Sequence, residues 1–572
     1  MLPGKADNSP RVRGVQSFVG GQCQHWRGLP GRWPCVRAGL AVGLAPSRGG
    51  GMNPVQLSVF ANRLAGLCEE MGAVLRRSAL SPNIKDRLDF SCAVFDGDGE
   101  LCAQAAHIPV HLGSMAFAMR ELVRGRDWQP GSLLVVNDPY LGGTHLPDVT
   151  VVAPVFAADR RVIAFAVTRA HHASIGASAP GSMPVSRTLE EEGLVIAPTW
   201  LQRDGQWNVA LARSLAGLDD DARSDALPID SPRLADFIAQ ASACHAGARR
   251  LGQLLAERGE PWFRDGLVAL NDYAERRARA VLSELPSGLW QFSDVMDDDG
   301  QGTQDIRIQA SLHIDGGGVS VDFSGTAAQV PGNINCPLSV AAAAVFYVFR
   351  CLMPADMPAC AGTFRPISLS APEGCLLNAR RPAAVAAGNV ETSSRVVDVV
   401  MGALAQALPE RMAAASQGSM NNVALGHGGA QRWDYYETMG GGMGAHAGGA
   451  GLSGVQTHMT NTLNTPIESL EQHYPLRVWR YALRRGSGGN GRFRGGDGLV
   501  RELEFLAPAT FTLLTERRRH APWGLAGGQP GMPGANWLND ASLPAKCTGE
   551  AGTGDRLRVE TPGGGGFSTD KY

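Results

Sequence analysis

NDPYLGGTHLPDVTVVAPVFAADRRVIAFAVTRAHHASIGASAPGSMP, residues 137–184, carries two apolar runs joined by a short polar link. VTVVAPVF (149–156) and RVIAFAVTRA (161–170) are rich in valine, isoleucine and phenylalanine, which suit a pleated, buried surface, and AADR between them reads as a turn. If the runs close as a hairpin about that turn, paired positions sum to about 317. His145 then faces His172 and Leu146 faces His171, within a register slip, and Asp148 lies just past the Pro147 bend. Side chains alternate faces along a strand, so only one of His171 and His172 points the same way as His145. A single histidine at a strand end is more often hydrogen-bonded structure than a ligand. Here His145, Asp148, His171 and His172 converge on one edge, and two imidazoles with a carboxylate are the donor set of a small site for Zn, Mn or Fe with positions left open.

Upstream, SLLVVND (132–138) reads as a buried strand, and RLDFSCAVFDGDGELCAQA as two strands about a DGDG turn at 96–99. AAHIPVHLGSM places His107 and His111 four apart, but Pro109 between them favours a loop, with a helix over 114–124. MNPVQLSVFANRLAGLCEEMGAVLRRSAL has an amphipathic pattern with Asn53 as N-cap and Pro54 at the first helical position. Residues 1–51 are arginine- and glycine-rich without periodicity; they read as a disordered extension or upstream sequence, with Met52 as the start.

Downstream, 234–285 reads as helices, and IRIQASLHIDGGGVSVDFSG as strands about a glycine turn at 316–318. The acidic run at 297–299 reads as a solvated turn rather than a cation site. VAAAAVFYVFRCLM (340–353) is apolar all round, hence a buried helix. A further helix is expected from about Ser393 to Leu408. The glycine-rich stretch after YYETM lacks any Walker pattern, leaving two readings, a phosphate cradle or close packing of backbone.

The expected class is α+β and multidomain, with mixed sheets, helical segments and glycine-rich loops. The expected divisions are 1–51, the extension; 52–232, an α/β domain with the metal site; 233–285, helical; 286–380, β-rich with a buried helix; and 381–572, a glycine-rich α+β domain. A formal net charge of -2 over 572 residues argues against nucleic acid and anionic membrane partners, and no apolar run is long enough to span a bilayer. The 11 cysteines form no CxxC pair, which fits a reducing, cytoplasmic setting.

Taken in order, RLDFSCAVFD, AAHIPVHLGSM, NDPYLGGTHLPDVTVVAPVF, RAHHASIG with PGSMP, EEGL, DFSGTAAQVPGNIN, GNVETSSRVVDV with ASQGSMNN, YYETMGGGMGA, THMTNTLNTPIE, GRFRGGDGLVRE and TPGGGGF resemble the hydantoinase B/oxoprolinase family. The resemblance implies a B-type subunit of a 5-oxoprolinase or N-methylhydantoinase, a hydrolase of cyclic amides. An A-type partner would hydrolyse ATP and phosphorylate the lactam or imide oxygen in a hetero-oligomer, and a metal-activated water would complete the reaction. It implies metal ligands at His145, Asp148 and His171 or His172, a proton shuttle at the unused histidine or His111, and substrate orientation by Glu391 or by Asn421 and Asn422. This chain departs from the family at Ser174, where an acid is usual, and at Ala177, where a glycine is usual. Two rival readings are a carboxylase alpha subunit of the acetone carboxylase kind and a catalytically degenerate structural subunit.

Overall fold

The computed structural model describes residues 52–177, 179–218, 226–428 and 432–569, so the extension expected over 1–51 lies outside the described residues. Helix α1 (Pro54–Ser78) starts as its sequence predicts. Asn53 Oδ1 accepts from Gln56 N–H and Gln56 Oε1 accepts from Asn53 N–H, a reciprocal cap that satisfies two otherwise orphaned donors.

Strands β1 (Phe90–Asp96), β2 (Leu101–Ala106), β3 (Leu133–Val136), β4 (Asp148–Phe156), β5 (Val162–His171), β6 (Thr199–Arg203) and β7 (Gln206–Trp207) form an antiparallel sheet in the order β2-β1-β5-β4-β3-β6-β7. Both faces are covered, which explains the unbroken apolar runs in its central strands. Val149, Val151 and Ala153 pack with α1 and the long helix Pro232–Arg258, while Val152, Phe165 and Val167 pack with helix α2 (Pro109–Val123). Each of these valines, and Phe165, contributes about 1.5–3 kcal/mol on burial.

Two local expectations are corrected. The β4–β5 hairpin sets Asp148 opposite His171, two residues away from the expected pairing, because its turn closes with Ala157 N–H donating to Arg161 O and a bulge follows at Phe156 and Val162. His111 lies in the first turn of α2, because Pro109 opens that helix instead of interrupting it; proline is tolerated where the N–H has no intrahelical partner.

The predicted helices of the middle region are Pro232–Arg258 and Glu260–Leu282, here α3 and α4. They are followed by β8 (Gly288–Asp298), β9 (Gln304–Asp315), β10 (Gly318–Asp322) and β11 (Ile367–Ser370), a mixed sheet in which only the β10–β11 pair is parallel. That sheet shares a large apolar core with the buried helix α5 (Leu338–Leu352) and with α6 (Ser393–Ala407). The acidic run is no solvated turn. Asp297 accepts from the backbone N–H groups of Arg518, Arg519 and His520, and Asp299 from those of Gln301, Thr303 and Gly332.

Beyond α6 the chain forms two further sheets. Asn422–His427, Trp433–Glu437, Ala509–Leu514 and Lys546–Ala551 make one; Leu476–Arg484, Gly498–Phe505, Ala535–Leu538, Ala541–Leu543 and Arg556–Glu560 make the other. Between them the glycine-rich segments run past one another in contact. Gly489 donates to Gly564 O, Gly564 to Gly496 O and Gly496 to Met443 O. A Cβ on Gly442 would lie 2.0 Å from Gly496 O, and one on Gly495 1.9 Å from Gly564 O. Close backbone packing is therefore what these glycines serve. With helices and several separate sheets, the fold is α+β and multidomain. No described helix is long and apolar enough to cross a membrane.

Candidate metal centre

The hairpin end, the first turn of α2 and the residue before β1 meet in a pocket that contains Asp89, His111, His145, Asp148 and His171. Its remaining wall comes from afar: Asn389 and Val390 from the wide helical turn Gly388–Thr392 ahead of α6, Tyr436 and Thr438, and Thr460 and Thr462.

His145, Asp148 and His171 are fully buried, and one potential ligand atom from each lies within 4.8 Å of the others. His145 Nδ1 donates to the Ala386 carbonyl at 3.2 Å, an acceptor-only partner that fixes the tautomer and leaves a lone pair on Nε2. Nε2 stands 3.4 Å from Asp148 Oδ1 and has no hydrogen-bond partner; neither does His171 Nε2. Buried polar atoms without partners are rare and call for an explanation. Two such imidazole nitrogens beside a carboxylate fit a divalent cation.

His171 is held on its other sides. Tyr436 stacks on it with ring centroids 4.9 Å apart and planes at 5°, and His145 approaches edge-on at 5.1 Å. Arg87 donates to Asn83 Oδ1 at 2.9 Å, and the Asn83 amide nitrogen lies 3.1 Å from His171 Nδ1. Arg87 occupies Asn83 Oδ1, so the amide N–H faces His171 Nδ1; ligation through His171 Nε2 requires the proton on Nδ1 and therefore an Asn83 amide turned over, with Arg87 Nη1 keeping its bond to the Tyr436 carbonyl.

Asp148 also accepts from Thr144 Oγ1 and faces His111 Nε2 at 3.4 Å, while His111 Nδ1 meets Ser91 Oγ at 3.0 Å. Burial alone would raise the Asp148 pKa, but the charges of His145 and His111 outweigh it and hold the carboxyl well below its ordinary range. For His145, burial works against protonation, yet Asp148 prevails and raises its pKa; burial and the His145 charge lower that of His171. Burial raises the pKa of Asp89, opposed by Arg87.

The structure sorts the other candidates. His172 faces away, with Nε2 2.8 Å from Gln240 Oε1 and its ring packed on Phe237 of α3, and does not line the pocket, whereas His111 does. Glu391 and Asn422 sit behind the pocket wall. Asn422 donates to Glu391 Oε1 at 2.7 Å and accepts from Tyr436 O–H at 2.6 Å, so both reach His171 only through the Tyr436 ring. Asn421 lies further off, bonded to Gln417 and Arg518. Ser174 lies outside the pocket lining and its Oγ is unpartnered. Asp89, Tyr436 and the three threonines do not emerge from spacing as site residues; the motifs RLDF, YYETM and THMTNT are their only signal in the sequence.

The hydantoinase B/oxoprolinase profile matches residues 53–570. The chain belongs to this family. As a hydantoinase B/oxoprolinase family member it is 40% identical over 542 residues to 5-oxoprolinase 1 of Arabidopsis thaliana, covering 90% of this chain and 42% of that one. It spans 40–42% of the length of the 5-oxoprolinases it matches. A Pseudomonas sp. protein provisionally named as the B-type subunit of a D-/L-hydantoinase is 32% identical, with 90% of each chain covered. Among solved structures, the ATP-dependent caprolactamase from Pseudomonas jessenii superposes with a TM-score of 0.83 at 28% identity, covering 91% of this chain and 92% of that one.

Proposed function

We propose that the chain is the B-type subunit of an ATP-dependent cyclic-amide hydrolase acting on a hydantoin- or 5-oxoproline-type ring. The observation that carries this reading is the pair of unpartnered Nε2 atoms beside Asp148 in a pocket of a hydantoinase B/oxoprolinase family chain. A lactam carbonyl is a poor electrophile because its nitrogen donates into it. Phosphorylation of the oxygen by an A-type, ATP-hydrolysing partner traps the imidate form, whose carbon water can attack. The ring C–N bond then breaks as the nitrogen takes up a proton, leaving an acyl phosphate that a second water hydrolyses to the carboxylate and inorganic phosphate. The relatives named as a B-type hydantoinase subunit and as an ATP-dependent caprolactamase support both the partner and the ATP.

His145, Asp148 and His171 would hold the divalent ion, Zn, Mn or Fe by the nature of the donors. Such an ion supplies acidification of water and polarisation of an oxygen. His111, which lines the pocket with Nδ1 at Ser91 Oγ and Nε2 facing Asp148, carries the proton between water and the leaving nitrogen. Tyr436 keeps the His171 ring in its plane; its hydroxyl donates to Asn422, which in turn donates to Glu391. Thr460 and the hydrogen-bonded pair Thr438 and Thr462 complete the lining that would meet the substrate. Unpaired buried cysteines support a cytoplasmic setting.

Co-expression with an A-type partner chain, followed by assay of ATP-dependent ring opening on 5-oxoproline, hydantoins and caprolactam, tests the reading. Ring opening that requires both chains and ATP is expected. An assembled, metal-loaded complex that carboxylates substrate without hydrolysis, or that is inert, would overturn it.

A further inference from the structure

The EEGL segment is a motif to which the chemistry above gives no task. It overlaps the end of the short helical segment Leu189–Glu192, which is tied to residues 382–386 by Leu189 N–H donating to Pro382 O. Glu192 is completely buried. A single oxygen, Oε1, accepts from Ser186 Oγ at 2.8 Å and from the successive backbone N–H groups of Val385 and Ala386, each at 2.9 Å. Ala386 is the residue whose carbonyl accepts from His145 Nδ1 at 3.2 Å.

From this geometry we infer that Glu192 is a positioning residue for the metal centre: it grips Ala386 at its N–H and so aims the Ala386 carbonyl at His145, fixing both the ring and its tautomer. The inference rests on the reading of His145 as a ligand. Two consecutive N–H groups converging on one oxygen define where the residue 386 backbone sits. Among the described residues the Ala386 carbonyl is the hydrogen-bond partner of His145 Nδ1, and by holding the proton there it leaves the lone pair on Nε2. Partners one shell beyond a metal ligand are worth about 10- to 100-fold in metal affinity when removed.

Reach, more than charge, is what this role demands. Glu192→Gln keeps an oxygen at the position of Oε1. Glu192→Asp keeps the charge but withdraws the oxygen by a methylene, and Glu192→Ala removes it. The test is titration of the metal-stripped full-length chain with Co2+, read by the visible absorption of the bound ion, with His145→Ala alongside. Wild type should bind, Glu192→Gln should stay within about threefold of it, and Glu192→Asp and Glu192→Ala should weaken binding by about 10- to 100-fold. Should Glu192→Ala fail to fold, the order of the Gln and Asp variants still decides. Co2+ binding by Glu192→Asp equal to wild type, or by Glu192→Gln as weak as by Glu192→Asp, would overturn the role of Glu192 while leaving the metal centre standing. Absence of Co2+ binding by wild type, or equal binding by His145→Ala, would instead remove the ligand reading and the role of Glu192 with it.

Discussion

Asp148 and His171 stand directly opposite each other on the terminal rung of the β4–β5 hairpin. A cross-strand pair is separated by only about 5 Å at Cβ, so the hairpin itself brings carboxylate and imidazole together. The next residue, His172, leaves on the other face. Asp148→Asn should therefore abolish most metal binding, while His172→Ala should retain the metal and lose about 1–3 kcal/mol of stability, since it strands Gln240 and uncovers Phe237. Metal content and denaturant midpoints of the two variants check this, and metal loss in His172→Ala would contradict it.

Tyr436 separates stacking from hydrogen bonding. Tyr436→Phe keeps the ring on His171 but leaves Asn422 Oδ1 without its donor, so metal should be retained at a cost of about 1–3 kcal/mol in stability. Tyr436→Ala removes the stack as well and should also release metal. Equal metal content in the two variants would show that the stack does not hold His171.

Glu391 gives a pH signature. Burial, with the charge of Glu516 added and Lys546 opposing, raises its pKa from 4.5 to about 7. The protonated form is thus favoured by folding. Its contribution is complete below 4.5 and is lost as pH rises to about 7, at up to about 1.4 kcal/mol per pH unit. Glu192 runs in the same direction and stays in place in both proteins compared. Urea midpoints of wild type and Glu391→Gln at pH 5, 6 and 7.5 should show a shallower decline for the variant. Parallel curves would refute the assignment.

The glycine lattice predicts opposite outcomes at two sites. In Gly564→Ala the new Cβ would lie 2.1 Å from Met443 O, backbone against backbone, so misfolding or a loss of several kcal/mol is expected. Gly66, exposed within α1 with nothing near its Cβ position, should gain up to about 1 kcal/mol on conversion to alanine. Thermal denaturation of both variants measures the contrast.

The hairpin, the Asn53 cap and the buried helix α5 are legible in the sequence because each rests on local pattern: β-branched runs, an N-cap before proline, an apolar helix. The convergence of His145 and Asp148 with the histidine pair follows from that hairpin. The choice of His171 over His172 does not, because it depends on a turn in which Arg160 adopts positive φ and on a bulge that composition does not announce. Pro109 misleads by acting as a helix opener. Tyr436 and the threonine wall reach the pocket from segments hundreds of residues away, and Asp297 is buried only because the Arg518–His520 backbone closes over it. Such contacts are made by tertiary packing, to which periodicity is blind.

The central claim is that His145, Asp148 and His171 together hold a divalent ion. Elemental analysis of the purified full-length chain beside His145→Ala, both dialysed against metal-free buffer, tests it most directly. Near-stoichiometric Zn, Mn or Fe in the wild type and its loss in the variant are predicted; the same metal content in both would contradict the account.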